Sequence, residues 1–162
     1  MTPGRGDGSG ASWADCTGRD LLEAVAAPRS PLGGGAVAAM TAALAATLVE
    51  RCAAASPVAG GHRVRAAALR EELVAIADDD AAVLASMIRG ERPATPASDP
   101  PRRLHAAAAE VAEIARRLER DGVPRLRGEA GCAALLAEAA VRAATSIVEL
   151  NDRGGATGGA RT

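Results

Sequence analysis

The sequence predicts an all-α fold, a bundle of about five long helices with disordered termini, and three observations carry that expectation. Alanine, the strongest helix former, fills 42 of 162 positions. Aromatic residues amount to 1%, a single Trp13 without Phe or Tyr, so the side chains that fill strands are scarce. No alternating apolar–polar run of strand period occurs, whereas apolar residues spaced by 3 and 4 recur along the chain. Leu, Ile and Val number only 29. So thin an aliphatic supply suits a disordered chain only when net charge is high, and 19 basic against 20 acidic residues leave −1. The core must therefore be built from alanine, with backbones in close approach.

Residues 1–16 are rich in Gly and Ser and lack periodicity, which predicts a disordered tail; the Arg5-Gly6-Asp7 triplet within it is read as chance. A first helix runs from about Arg19 to Ala27 and is stopped by Pro28. The second begins just after Gly33-Gly34-Gly35 and reaches about Ser56. Its larger apolar residues, Val37, Met40, Leu44, Leu48 and Cys52, follow the spacing of one helix face, with alanines between them. A helix apolar nearly all round belongs at the centre of a bundle. The third, from about His62 to Arg89, carries Leu69, Leu73, Ile76, Val83, Leu84 and Met87 on its inner side. Pro93, Pro96, Pro100 and Pro101 mark a loop. The fourth covers about Arg102 to Asp121, with Leu104, Ala108, Val111, Ile114, Ala115 and Leu118 in register, and is ended by Gly122 and Pro124. The fifth runs from about Glu129 to Asn151 through Cys132, Leu135, Leu136, Ala139, Ala143, Ile147 and Leu150. The helical domain thus spans 17–152, and the Gly-rich stretch 153–162 is a second disordered tail.

Composition also narrows the partners. All basic residues are Arg, and neither a basic excess nor an aromatic platform supports nucleic-acid binding. No apolar run approaches the roughly 20 residues of a membrane span, and the N-terminal residues lack an apolar signal region; the expectation is a cytoplasmic protein without membrane contact. Cys16, Cys52 and Cys132 are odd in number and widely spaced, which fits reduced thiols. Cys52 and Cys132, in apolar helical contexts, read as small core residues. Neither His62 nor His105 has a second ligand at metal spacing, so no metal site and no tightly bound cofactor are expected.

The chemical interest lies in Ser30-Pro31-Leu32-Gly33-Gly34-Gly35-Ala36-Val37. Three glycines opening a long helix present backbone N–H groups at the positive end of its dipole, where a phosphate or carboxylate binds without a basic side chain. In that reading the glycines provide close approach and positive φ. The competing reading is that they only permit a tight turn and close helix packing. No strand precedes them, which removes the dinucleotide-binding interpretation, and the absence of Lys removes the P-loop. Asp78, Asp79 and Asp80 are consecutive and spread over roughly 200° of helix, so at most two can face inward.

The run SPLGGGAVAAMTAALAATLV resembles the Gly-rich, alanine-rich helix of the formiminotransferase-cyclodeaminase and methenyltetrahydrofolate cyclohydrolase family. Further segments follow in the family's order. Leu73–Val83 is similar to its Asp-Ala helix, and Arg103–Ala115 to its next alanine-rich helix. Gly128-Glu129-Ala130-Gly131-Cys132-Ala133 stands in place of its Ser-Asp segment, and Val148-Glu149-Leu150-Asn151 resembles its closing motif. The resemblance covers about 20–151. Ala36 stands where the family usually has Ser, Glu129 where it has Asp, Gly128 where it has Ser, and Ile147 where it has the first Asn of the closing motif.

The resemblance implies a cyclodeaminase-like helical bundle, homodimeric, acting on a tetrahydrofolate derivative as substrate. Asp80 and Glu129 are the implied catalytic carboxylates. Gly33, Gly34, Gly35, Arg103 and Asn151 are the implied substrate contacts, Arg103 towards carboxylates of the glutamate tail and Asn151 towards the pterin. The alternative reading is a catalytically degenerate homologue that keeps the bundle as a ligand-binding or protein-interaction dimer. The enzyme reading expects the glycine turn, Asp80 and Glu129 to line one concave site.

Overall fold

The computed structural model describes residues 12–56 and 60–158. Most of the expected N-terminal tail, with its Arg5-Gly6-Asp7 triplet, and residues 159–162 lie outside the described residues. Five helices are present, α1 Gly18–Ala26, α2 Gly34–Ala55, α3 His62–Ile88, α4 Asp99–Asp121 and α5 Arg127–Gly158, with 3-10 turns at Trp13–Asp15 and Pro124–Leu126 and no strand among the described residues. The all-α expectation holds.

The differences at the helix ends have local causes. Residues 12–16, expected to be disordered, form the first 3-10 turn, capped by the Ser12 side chain. The Trp13 backbone N–H anchors it by donating to Asp78 Oδ1 at 2.9 Å. Helix α2 starts inside the glycine run, with Gly33 as its N-cap. Helix α4 starts before the two prolines expected in the loop. Its first turn needs no N–H from them, and Pro100 and Pro101 become fully buried core residues. At the far end α5 extends to Gly158, past the boundary expected at 152.

Helices α2, α3, α4 and α5 form a four-helix bundle in which each packs on the next, α5 closes onto α2, and α2 and α4 meet across the diagonal. Helix α1 lies at its edge, contributing Leu21 and Ala24 to the packing. Helices α2 and α5 run antiparallel along their length: Gly34 faces Ile147 at one end, and Cys52 Sγ donates to the Leu126 carbonyl at 3.9 Å at the other.

The core is made of alanine more than expected. On α2 the buried positions include Ala38, Ala39, Ala42, Ala45, Ala46 and Val49, while Val37 is 40% exposed and Leu44 65%. On α5 they are Ala130, Ala133, Ala134, Ala137, Ala140 and Ala144, while Leu135 is 60% exposed and Leu150 61%. Cys132, expected in the core, is exposed. In both helices alanines dominate the buried positions, while Met40, Leu48, Leu136 and Val141 pack only partly against the core, because helix axes can come to about 8 Å only where side chains are short. Helices α3 and α4 behave in the ordinary way over most of their length, with Leu69, Leu73, Ile76, Leu104, Val111 and Leu118 buried, whereas Met87, expected on the inner side of α3, is 52% exposed at its last turn.

The expectation that nothing is long and apolar enough to cross a membrane is corrected. Gly34–Ala55 and Pro124–Arg153 both are, by length and composition, because alanine keeps hydropathy high between widely spaced charges. Of the apolar stretch, 56% is buried inside the bundle in the first and 28% in the second.

Candidate active site

One turn of α3 distributes its three acids to three neighbours. Consecutive helical residues point about 100° apart. Asp78 accepts the Trp13 N–H, Asp79 pairs with Arg103 at 2.7 Å, and Asp80 turns towards the start of α2, where its Oδ2 accepts the Ala36 N–H at 2.8 Å. The Asp80 carboxyl is thereby set at the positive end of the α2 dipole. Burial nevertheless pushes its pKa above the ordinary carboxylate value, with the Ala36 hydrogen bond opposing that rise. Desolvation wins because a single backbone donor does not replace the lost water.

The glycines act through close approach alone. Gly33 has φ −80°, and among the described residues positive φ at glycine occurs at Gly60 and Gly90, so the left-handed conformation expected of the turn is not used. A Cβ on Gly35 would overlap the Asp80 carboxylate, and one on Gly33 would meet Leu84 Cδ2 at 2.8 Å. A Cβ on Gly34 would meet only Ile147 Cδ1, at 3.9 Å. Gly35 is therefore the residue that lets α3 bring its acid onto the turn. As the first residues of α2, Gly34 and Gly35 have no intrahelical partner for their N–H groups.

A cleft of about 190 Å³ opens at this place, lined by Gly33, Gly34, Gly35, Asp80 and Asn151, with apolar walls from Val83, Leu84, Met87 and Ile147. Asn151 is held by its Nδ2, which donates to the Ala97 carbonyl at 2.9 Å, leaving its oxygen for the cleft. The wall residues were legible but not read: Val83, Leu84 and Met87 follow Asp80 at helical spacings of 3, 4 and 7, and Ile147 precedes Asn151 by one turn.

Two expected site residues lie elsewhere. Arg103 does not line the cleft; it is paired with Asp79 and lies 3.8 Å from Asp99, because its place at the start of α4 sets it among acids. Glu129, in the first turn of α5, lies 3.7 Å from Arg51 near the other end of α2. Ala36 and Arg51 are 15 residues apart on that helix, so the two implied catalytic carboxylates contact α2 at positions separated by about 22 Å of helix. The single concavity expected for the glycine turn, Asp80 and Glu129 is not formed within one chain.

Fold and site together define an all-helical protein with a half-buried carboxyl poised at a glycine-rich helix start. The chain belongs to the formiminotransferase-cyclodeaminase family, whose model matches residues 17–154. That membership points to folate one-carbon metabolism. No curated protein and no solved structure matches the chain.

Proposed function

We propose that the cleft binds a tetrahydrofolate derivative and either hydrolyses the bridge of methenyltetrahydrofolate or closes the ring of formiminotetrahydrofolate with loss of ammonia. The observation that carries this reading is the Asp80 carboxyl, half buried among Val83, Leu84 and Ile147 with a raised proton affinity. Both reactions pass through a tetrahedral carbon between two folate nitrogens. In one, water adds to the bridge carbon and a C–N bond breaks; in the other, the formimino carbon, already on the pterin ring nitrogen, is attacked by the folate's exocyclic arylamine nitrogen, and the imino nitrogen departs as ammonia. Each requires a proton moved beside a cationic carbon, which a carboxyl of raised pKa serves as acid in one protonation state and as base and counter-charge in the other. The unpartnered N–H groups of the first turn of α2 and the Asn151 oxygen supply polar contacts for substrate orientation.

The test is turnover of each folate followed through the methenyl chromophore. Asp80→Asn should lower kcat on the order of 100-fold with KM changed by less than about threefold. A parent protein without turnover on either folate, or an undiminished Asp80→Asn variant, would sink the catalytic reading. One observation favours a second reading: Asp80 already caps α2 through the Ala36 N–H, which is a structural task. Under that reading the bundle is a non-catalytic homologue, and Asp80→Asn alters stability alone.

A further inference from the structure

We infer that the cleft at the glycine turn continues past Met87 into the loop between α3 and α4, where Arg92 receives the carboxylates of the substrate's glutamate tail. The inference rests on the folate reading for its ligand; the path and the cation are properties of this chain.

The cleft alone is too small and too poor in charge for such a ligand. Its volume of about 190 Å³ is below the roughly 300–1,000 Å³ of small-molecule sites. No cationic side chain lines it, and Arg103, expected to meet the tail, is engaged by Asp79 and Asp99. A second cavity, of about 370 Å³, lies between the end of α3 and the residues that precede α4, with Arg92, Pro93, Thr95 and Pro96 in its walls. Met87 and Ala97 line both cavities. The two therefore adjoin across these residues, and together they reach the size that the cleft alone lacks.

The backbone fixes Arg92 at this path from both sides. Helix α3 ends in a Schellman turn: Gly90 takes φ +73°, its N–H donates to the Met87 carbonyl at 3.0 Å, and the Glu91 N–H donates to the Ser86 carbonyl at 2.9 Å. That reversal brings Arg92 back to the cavity that Met87 lines. At the far side the Asp99 N–H donates to the Pro96 carbonyl at 3.0 Å, and Asn151 Nδ2 ties the Ala97 carbonyl to α5. Pro93 and Pro96 fix two φ angles between these anchors. The guanidinium itself is free for a ligand. Its neighbour Glu91 is paired with Arg89 at 2.7 Å, and among the described residues no group engages Arg92. A planar fork of donors without a carboxylate is suited to accept one in bidentate fashion.

The reach agrees with the ligand. Met87 stands seven residues beyond Asp80, about 10 Å of helix, and the Schellman turn follows directly. A folate whose reacting carbon lies at Asp80 carries its tail carboxylates a similar distance away, across the p-aminobenzoyl ring and its amide. Met87, Pro93 and Pro96 offer that ring an apolar bed, and a thioether packs well against an aromatic ring.

The test separates the tail from the rest of the ligand. Binding of 5-formyltetrahydrofolate, and of 5-formyltetrahydropteroate, which lacks the glutamate, is measured by titration calorimetry on the parent, Arg92→Gln and Arg63→Gln. The last removes the same charge beside the far end of α2. The parent should prefer the glutamate-bearing compound on the order of tenfold. Arg92→Gln should lose that preference while binding the pteroate within about twofold of the parent, and Arg63→Gln should keep it. Arg92→Lys, which keeps the charge and loses the fork, should fall between. In turnover of methenyltetrahydrofolate, Arg92→Gln should raise KM by the same factor at unchanged kcat, because the tail is held equally in ground and transition states. Equal affinity of the parent for the two compounds, an Arg92→Gln variant that keeps the preference, an equal loss in Arg63→Gln, or a fall in kcat at unchanged KM would overturn the role of Arg92 and leave the folate reading standing. A parent that binds neither compound would overturn both.

Discussion

Asp80 combines two tasks that pull in opposite directions, capping α2 as an anion and holding a proton because it is buried. The consequence for stability has a definite sign. Between the ordinary carboxylate pKa and its raised folded value, the native state binds more protons than the unfolded chain. This group's contribution therefore falls as pH rises through that window and is level above it. Asp80→Asn keeps an oxygen for the Ala36 N–H and removes the titration, so urea midpoints measured across that window should lose this downward component; identical slopes for parent and variant would refute it. The glycines separate by the same geometry. Gly35→Ala drives a methyl into the Asp80 carboxylate and should destabilise by about 1–3 kcal/mol. Gly34→Ala, with only Ile147 at 3.9 Å, should stay within about 0.5 kcal/mol in the same urea experiment. The sequence pointed to the glycine run and to Asp80, but not to the contact between them. A separation of 44 residues leaves no local signal, and three consecutive acids are equivalent until the rotation of α3 is known.

Among the elements, the number and order of helices were legible because Pro and Gly punctuate strong 3.6-residue periodicity. The faces of α2 and α5 were not. Large aliphatics at helical spacing report a surface that avoids water, and the same pattern serves a core or an interface between molecules. In this chain alanine occupies the core, so Val37, Leu44 and Leu135 mark the outside. Two substitutions one residue apart make the point measurable. Leu44→Ala, in a monomeric background such as one carrying Leu135→Glu, should change unfolding free energy by less than about 0.5 kcal/mol. Ala45→Leu, at a position with no exposed surface, should cost about 1–3 kcal/mol or prevent folding. The reverse order in a denaturant titration would restore the face first expected. The pairs that link elements, Arg65–Glu110 between α3 and α4 and Arg116–Glu138 between α4 and α5, are solvent-exposed enough to be screened and contribute little to stability.

For the molecule as a whole, α2 and α5 present alanines to the interior while Val37, Leu44, Leu135 and Leu150 stay exposed, so pairing of copies through that face is testable through stability. If the α2–α5 faces pair, the thermal midpoint should rise with chain concentration, and Leu44→Glu should remove that dependence; a midpoint unchanged over a hundredfold range would argue for a self-sufficient monomer. Asp80 and Glu129 were singled out in the sequence by their neighbourhoods, yet their placement against α2 residues 15 positions apart, about 22 Å of helix, was out of reach. Segment order carries no information about which end of a shared helix each segment meets. The acidic turn of α3 has a consequence of another kind. Asp78, Asp79 and Asp80 join the N-terminal 3-10 turn, the start of α4 and the start of α2 to three consecutive positions. Deleting one residue between Ile76 and Asp78 would rotate each acid by about 100° relative to the preceding core residues and offer it the partner of its neighbour. Descendants of this chain can exchange residues here more freely than they can change its length, and the spacing from Ile76 to Ala81 is the stretch where an insertion or deletion is least able to survive.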